Sequence, residues 1–229
     1  MGVYAAPATE FRAIARAPAF WAPLLGFLAV TLLFTVVWVS KADPVEFMRA
    51  QIEESPRAGR MPPEQKAQVI DTQARFFKPI ALASSLLFTP LIVVAIAGLY
   101  LLVFRFFVGD DIVFRQSLAV VAWTFFPVAL VTTSLTLLTL ALKGEWSIDP
   151  RHALEANLAL FLDRESTPRA VFTLAESFDL FTFWQLALLS LGFAAATGRR
   201  PSSAAYGVVA LWILWVVLKV GFAFVISML

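Results

Sequence analysis

Long apolar blocks alternate along this chain with shorter polar stretches, and the length of the blocks sets the fold class before any motif is considered. A helix needs about 20 apolar residues to cross a hydrocarbon layer about 30 Å thick. Hydrocarbon offers no partner to an unpaired amide or carbonyl, so helices are the expected form. Five blocks meet or approach that length, at about 20–39, 80–107, 117–142, 180–196 and 204–229. The first holds no charge and has Trp21 and Trp38 near its ends. They lie about 25 Å apart along a helix, the separation of two interfacial belts. A cleaved signal peptide is the competing reading, since Arg12 and Arg16 precede the block and Ser40-Lys41-Ala42 follows it. The apolar run exceeds the roughly 7 to 15 residues of a signal core, so an uncleaved span is expected. The pattern thus predicts an all-α polytopic membrane helical bundle of five transmembrane helices, with short amphipathic helices in the external loops.

Between the blocks, residues 1–19 read as a cytoplasmic amphipathic arm and 20–229 as one five-span membrane domain. In the arm, Thr9 is placed to cap a short helix with Phe11 and Ile14 on one face, Arg12 and Arg16 toward headgroups, and Pro18 at its end. Such a helix either lies on the leaflet or anchors the first span, and anchoring is the preferred reading. Asp43-Pro44-Val45-Glu46 combines an N-cap acid, proline at the first helical position and a third-position glutamate, so a helix is expected from there to about Ser55. Pro62-Pro63 opens a second helix through Gln65, Val69, Ala74 and Phe77 that leads to Pro79 at the membrane. A third short helix is expected over 153–162, with Leu154, Leu158, Phe161 and Leu162 apolar. No internal repeat is visible, so the inverted symmetry of many transporters is not expected.

Composition narrows the function classes. Of 229 residues, 60% are hydrophobic and 15% charged, against about 25% charged in ordinary soluble proteins. With a mean hydropathy of +0.80, an ordinary soluble enzyme, a disordered chain and a disulfide scaffold are poor fits. Cysteine is absent and His152 is the single histidine, which removes thiolate chemistry and any site needing two histidines. The 18 basic residues barely exceed the 16 acidic ones, so no nucleic-acid partner is expected. Their distribution predicts orientation. Arg12, Arg16, Arg105, Arg115, Arg199 and Arg200 face only Glu10, Asp110 and Asp111 on one side, whereas 41–78 and 143–179 together carry 13 acidic and 11 basic residues. By the positive-inside rule the N-terminus is cytoplasmic and the C-terminus external.

Enzyme signatures fail on inventory. Glu53-Glu54-Ser55-Pro56-Arg57 faintly resembles the paired glutamates of membrane CAAX proteases, but its spacing to arginine is one short and no second histidine exists. A rhomboid-like pair lacks its glycine-flanked serine, and Asp110-Asp111 after Gly109 reads as a turn. No enzyme activity, metal or cofactor is expected. Lys219, about 15 Å from the C-terminal end of its helix, is the ionisable residue deepest in a span, and a pair with Asp179 is topologically allowed. Thr132, Thr136 and Thr139 form a stripe on the third span; Pro90 and Pro127 interrupt the second and third. On the fourth span Phe181, Gln185, Leu188, Gly192 and Ala196 share a face that permits close helix approach.

Taken together, five spans, a short arm ending in proline, a third span with Trp123 and Pro127, and the run Ser177-Phe178-Asp179-Leu180-Phe181-Thr182-Phe183-Trp184-Gln185-Leu186 followed by Gly192 resemble the Yip family of Rab-interacting five-span membrane proteins, in its bacterial form. The resemblance extends from about Phe11 onward and is carried most by Asp179, Phe181, Trp184 and Gly192. It implies a cytoplasmic N-terminus and no established reaction. Eukaryotic relatives are linked to small GTPases through longer N-terminal regions; the arm of about 19 residues departs from them, which speaks against GTPase binding. The expected function is a non-enzymatic scaffold of the bacterial inner membrane that contacts the lipid bilayer, membrane-protein partners or further copies of itself. The alternative is a small transporter or channel built on the kinked second and third spans and Lys219.

Overall fold

A computed structural model of the chain describes residues 2–53, 61–154, 156–163 and 166–228. Nine α-helices appear among these residues: α1 (Gly2–Ala5), α2 (Pro7–Arg16), α3 (Trp21–Lys41), α4 (Pro44–Glu53), α5 (Pro63–Leu102), α6 (Phe114–Lys143), α7 (Arg169–Glu176), α8 (Leu180–Thr197) and α9 (Pro201–Met228). Five of them, α3, α5, α6, α8 and α9, are long and apolar enough to cross a membrane, and they coincide with the five apolar blocks. The protein is therefore an all-α, multi-pass membrane protein. Large side chains such as Leu33, Leu87, Trp215 and Phe222 stand exposed on these helices, as lipid-facing residues do.

The helix ends follow local chemistry. Asp43 Oδ1 accepts the amides of Val45 and Glu46 and so starts α4 where the sequence predicts. Helix α8 begins at the matching device, Asp179 Oδ1 accepting the Thr182 amide at 2.9 Å, and stops at Gly198, whose left-handed φ of +71° is disfavoured for residues with a Cβ. Helix α2 begins at Pro7, two residues before the expected Thr9 cap, because proline's fixed φ suits a first-turn position.

Two expectations are corrected. The loop helix opening at Pro63 and the second span, expected as separate elements meeting at Pro79, are one helix: α5 runs through Pro79 and Pro90 and closes with one π-helical turn, Val103–Phe107. Each internal proline removes one hydrogen bond, and Phe77, just before Pro79, is buried in an apolar cluster. The predicted helix over 153–162 is also absent. Asn157 and Asp179 form an antiparallel bridge instead, with Leu158 N donating to Phe178 O and Leu180 N to Ala156 O, so the backbone there is extended. Only a 3-10 turn, Leu158–Phe161, follows, capped by Asn157. The end of the first loop helix at Ser55 and the Glu54-Ser55-Pro56-Arg57 stretch lie outside the described residues.

By internal contacts the chain divides into two units: a first unit of Met1–Phe27, Leu91–Val128 and Glu155–Leu229, and a second of Leu28–Pro90 and Ala129–Leu154. The core of the first unit gathers Phe11, Val93, Tyr100, Phe104, Val120, Leu189 and Phe193. Phe104 stacks on Phe193 with ring centres 4.5 Å apart, and Tyr100 flanks the same ring at 4.9 Å. Phe11 is fully buried here, so α2 turns its apolar face onto α8. The second unit centres on Trp38, Phe77, Leu140 and Ala153.

Gly192 is the tightest point of the first unit. A Cβ there would lie 2.5 Å from Val120 Cγ1 and 3.1 Å from the Phe11 ring, both fully buried and unable to retreat. Gly98, on α5, has nothing within 4 Å of the same position. Gly192→Ala is expected to destabilise the protein by about 1–3 kcal/mol through overpacking. Gly98→Ala should leave stability unchanged or raise it by up to about 1 kcal/mol through helix propensity. Thermal unfolding of the two variants in the same detergent checks the contrast.

Candidate functional site

The most chemically varied surface of the second unit is built where α3 leaves its apolar stretch. Trp38, on the last turns of α3, donates its indole N–H to the Trp146 carbonyl at 3.0 Å and meets the Phe47 and Phe77 rings edge-on, each at 5.2 Å. These contacts tie α4, α5 and the loop after α6 to the end of α3. The Lys41 ammonium sits 5.1 Å from the centre of the Trp146 ring, and the Asp43 amide donates to Ser147 Oγ.

Beside this cluster lies an open cleft of about 530 Å³. One part of its wall is apolar, formed by Phe34, Trp38, Phe47, Met48 and Pro150; the other is polar, formed by Gln51, Gln73, Asp149 and Arg151. The Asp149 side chain is almost covered, at 11% exposure, while that of Arg151 is 83% exposed. Asp149 accepts from the backbone N, Nε and Nη2 of Arg151, the last at 2.7 Å, and from Gln51 Nε2 at 3.5 Å. Burial alone would raise the Asp149 pKa. The Arg151 hydrogen bonds and charge outweigh it and, with a smaller contribution from His152, hold the carboxyl below its ordinary range. The site is thus a fixed carboxylate presenting an exposed guanidinium above an aromatic wall. A second groove of about 400 Å³ in the same unit is lined by the Lys66–Glu53 pair, which spans 3.7 Å. The capping motif at Asp43 was legible in the sequence, whereas Trp146, Asp149 and Arg151 carried no spacing that set them apart.

The residues singled out in the sequence fall into both units. In the second unit, Thr132 Oγ1 donates to Ala129 O and Thr139 Oγ1 to Leu135 O, and Thr136 is buried. Pro90 is the last residue of that unit's α5 segment. In the first unit, the Pro127 carbonyl accepts the Tyr4 hydroxyl at 3.0 Å, and Tyr4 also lies against Trp184 with ring centres 6.1 Å apart. Phe181 and Gln185 are half-buried, and Gln185 makes no side-chain hydrogen bond among the described residues. Lys219 pairs with Glu176 at 3.6 Å, not with Asp179. Asp179 is withdrawn from it because its carboxylate caps α8, while Glu176 ends α7, a helix the sequence reading did not anticipate.

A further ion pair was missed altogether: Arg199 Nε donates to Asp110 Oδ1 at 2.6 Å and Arg199 Nη2 to Val108 O at 2.9 Å. Gly109 adopts a left-handed φ of +76°, but spacing cannot show that residues 89 apart in sequence meet.

Two predictions follow from these contacts. The Lys219 and Glu176 side chains approach to 3.6 Å, so a double-mutant cycle of Lys219→Met with Glu176→Gln should return a coupling of about 0.5–3 kcal/mol. The same cycle with Asp179→Asn should return none. For Asp149, the depressed folded pKa means that its stabilising effect is complete above the ordinary carboxylate value and is lost as pH falls through the folded value. Unfolding midpoints measured downward from pH 7 should therefore decline below roughly pH 4, and Asp149→Asn should flatten that decline.

The comparisons with known proteins bear on the same features. The family model described as the Yip1 domain matches residues 1–225, which takes in the α2 arm, all five spanning helices and the Asp179-capped start of α8. No curated protein and no solved structure matches the chain. A match that runs through the whole helical framework leaves one assignment: the chain belongs to the Yip1-domain family of multi-pass membrane proteins.

Proposed function

We propose that this protein is a non-enzymatic scaffold of the bacterial inner membrane, which organises membrane-protein partners through contacts of its loops and lipid-facing helices. The N-terminus is cytoplasmic and the C-terminus external in this reading, as the excess of arginine around Arg12, Arg16, Arg115, Arg199 and Arg200 supports. The observation that carries the reading is the way the spans deploy their polar side chains. Thr35, Thr133, Ser134, Thr139, Ser190 and Thr197 each donate to a carbonyl four residues back on their own helix, leaving apolar packing as the main content of the spans. Lys219, the residue on which a transport reading leans, is engaged with Glu176. The segments 41–78 and 143–179 then offer the polar surfaces for partners, and α2 is the arm that holds the first span.

Two measurements test this. Topology reporters fused after Gly198 and at the C-terminus are expected to report cytoplasm and exterior respectively, and the reverse pattern would overturn the orientation. A proximity-labelling enzyme fused at the N-terminus is expected to mark a reproducible set of membrane proteins beyond a span-matched control. Labelling indistinguishable from that control, together with solute flux in reconstituted vesicles, would instead establish the transporter reading.

A further inference from the structure

We infer that the cleft between Trp38 and Arg151 is a binding site for a single membrane glycerophospholipid, held by its phosphodiester at Arg151 with an acyl chain along Phe34 and Met48. The inference stands independently of the scaffold reading. Phe34 and Trp38 belong to the spanning helix α3, which ends at Lys41, and the polar members of the cleft, Gln51, Asp149 and Arg151, come from segments beyond that end. Phe47, Met48 and Pro150 add apolar surface from those same outer segments, so the cleft joins an apolar wall that begins on the span to a polar rim that lies wholly beyond its end, the division a phospholipid makes at that level. Its volume, about 530 Å³, falls within the range of small-molecule sites.

The polarity of the rim selects the headgroup chemistry. Asp149 already accepts four donations, from three nitrogens of Arg151 and from Gln51, so its carboxylate is committed to the protein. What the rim turns outward is the Arg151 guanidinium, 83% exposed yet fixed through Asp149. A preorganised guanidinium recognises phosphate oxygens, which accept and do not donate. Asp149 acts as a positioning residue.

The test uses the full chain in phosphatidylcholine vesicles doped with a phosphatidylethanolamine whose acyl chain carries a diazirine, compared with a diacylglycerol bearing the same chain and no phosphate. After irradiation, the phospholipid probe is expected to label the α3 and α4 peptides that contain Phe34 and Met48 more than the diacylglycerol does. Arg151→Ala should reduce that preference roughly tenfold, the scale of a lost hydrogen bond to a charged group, while labelling of the lipid-exposed α9 face at Trp215 and Phe222 stays constant. Asp149→Asn should lower the phospholipid-to-diacylglycerol ratio without abolishing labelling, a change that mere loosening of the fold would not produce. Met48→Trp, which fills the apolar wall, should lower labelling by both probes at the cleft only. Equal labelling by the two probes, or an unchanged ratio in Arg151→Ala, would overturn the assignment and mark these contacts as ordinary boundary lipid. Displacement of the probe by water-soluble glycerol 3-phosphate would overturn the lipid as occupant.

Discussion

Peptide groups that enter hydrocarbon must find their partners inside the protein, and the rest of this structure is arranged around that demand. Helices α3, α5, α6, α8 and α9 meet it along their length, so the informative places are those where the ladder is broken. Pro79, Pro90 and Pro127 each withdraw a donor, leaving the carbonyls of Arg75, Leu86 and Trp123 without their usual helical partner. The helices nevertheless continue, and buried residues follow two of the prolines, Val93 after Pro90 and Val128 after Pro127. One exception to self-contained bonding is Ser117, whose hydroxyl donates at 2.6 Å to Ala97 O on a different helix, a buried polar tie between α6 and α5 in the first unit. Thr124, fully buried on α6, makes no such bond through its hydroxyl among the described residues.

Where the chain leaves hydrocarbon, the same demand falls on side chains. The turn between α2 and α3 exposes the carbonyls of Pro18 and Ala19, and α6 answers both, with Arg115 Nε donating to the first and Trp123 Nε1 to the second at 2.9 Å. The turn before α6 is closed by Arg199 on Asp110 and Val108. The loop after α6 is closed by Trp38 on Trp146 and by Arg151 on Asp149. Charged and aromatic residues near span ends thus act as closures for specific backbone groups in addition to any role in orientation.

This division of labour explains what the sequence made legible. Spans are set by length and apolar content, which are local properties, so their positions followed from the residues alone. Caps are local too, and Asp43 was readable from its own four residues. That the loop helix and the second span are continuous through Pro79 was not legible locally, since the Phe77 ring beside that proline packs against Trp38, 39 residues away in sequence. The sequence allowed a pair of Lys219 with Asp179, and the choice of Glu176 instead was illegible for a related reason. Asp179 and Glu176 are both acidic and three residues apart, and only the bridge to Asn157 together with the cap on Thr182 decides which carboxylate is already occupied. The cleft at Arg151 depends on four segments, α3, α4, α5 and the loop after α6, whose convergence no spacing encodes.

The distribution of occupied polar groups also bears on where activity can reside. Many hydroxyls of the spans already donate to their own helices, and those donors would have to be released before they could serve a solute. Release in hydrocarbon leaves a carbonyl bereft of a bond and a hydroxyl seeking one, a cost that a transport cycle would have to recover elsewhere. At the loop after α6 the situation is reversed: the Arg151 guanidinium is exposed to a large degree while its geometry is fixed from below by Asp149. A group that is both oriented and accessible can engage a ligand without first breaking the fold. That asymmetry favours recognition at the ends of the helices over passage between them, and it places the aromatic cluster around Trp38 as the rigid support on which such recognition would depend.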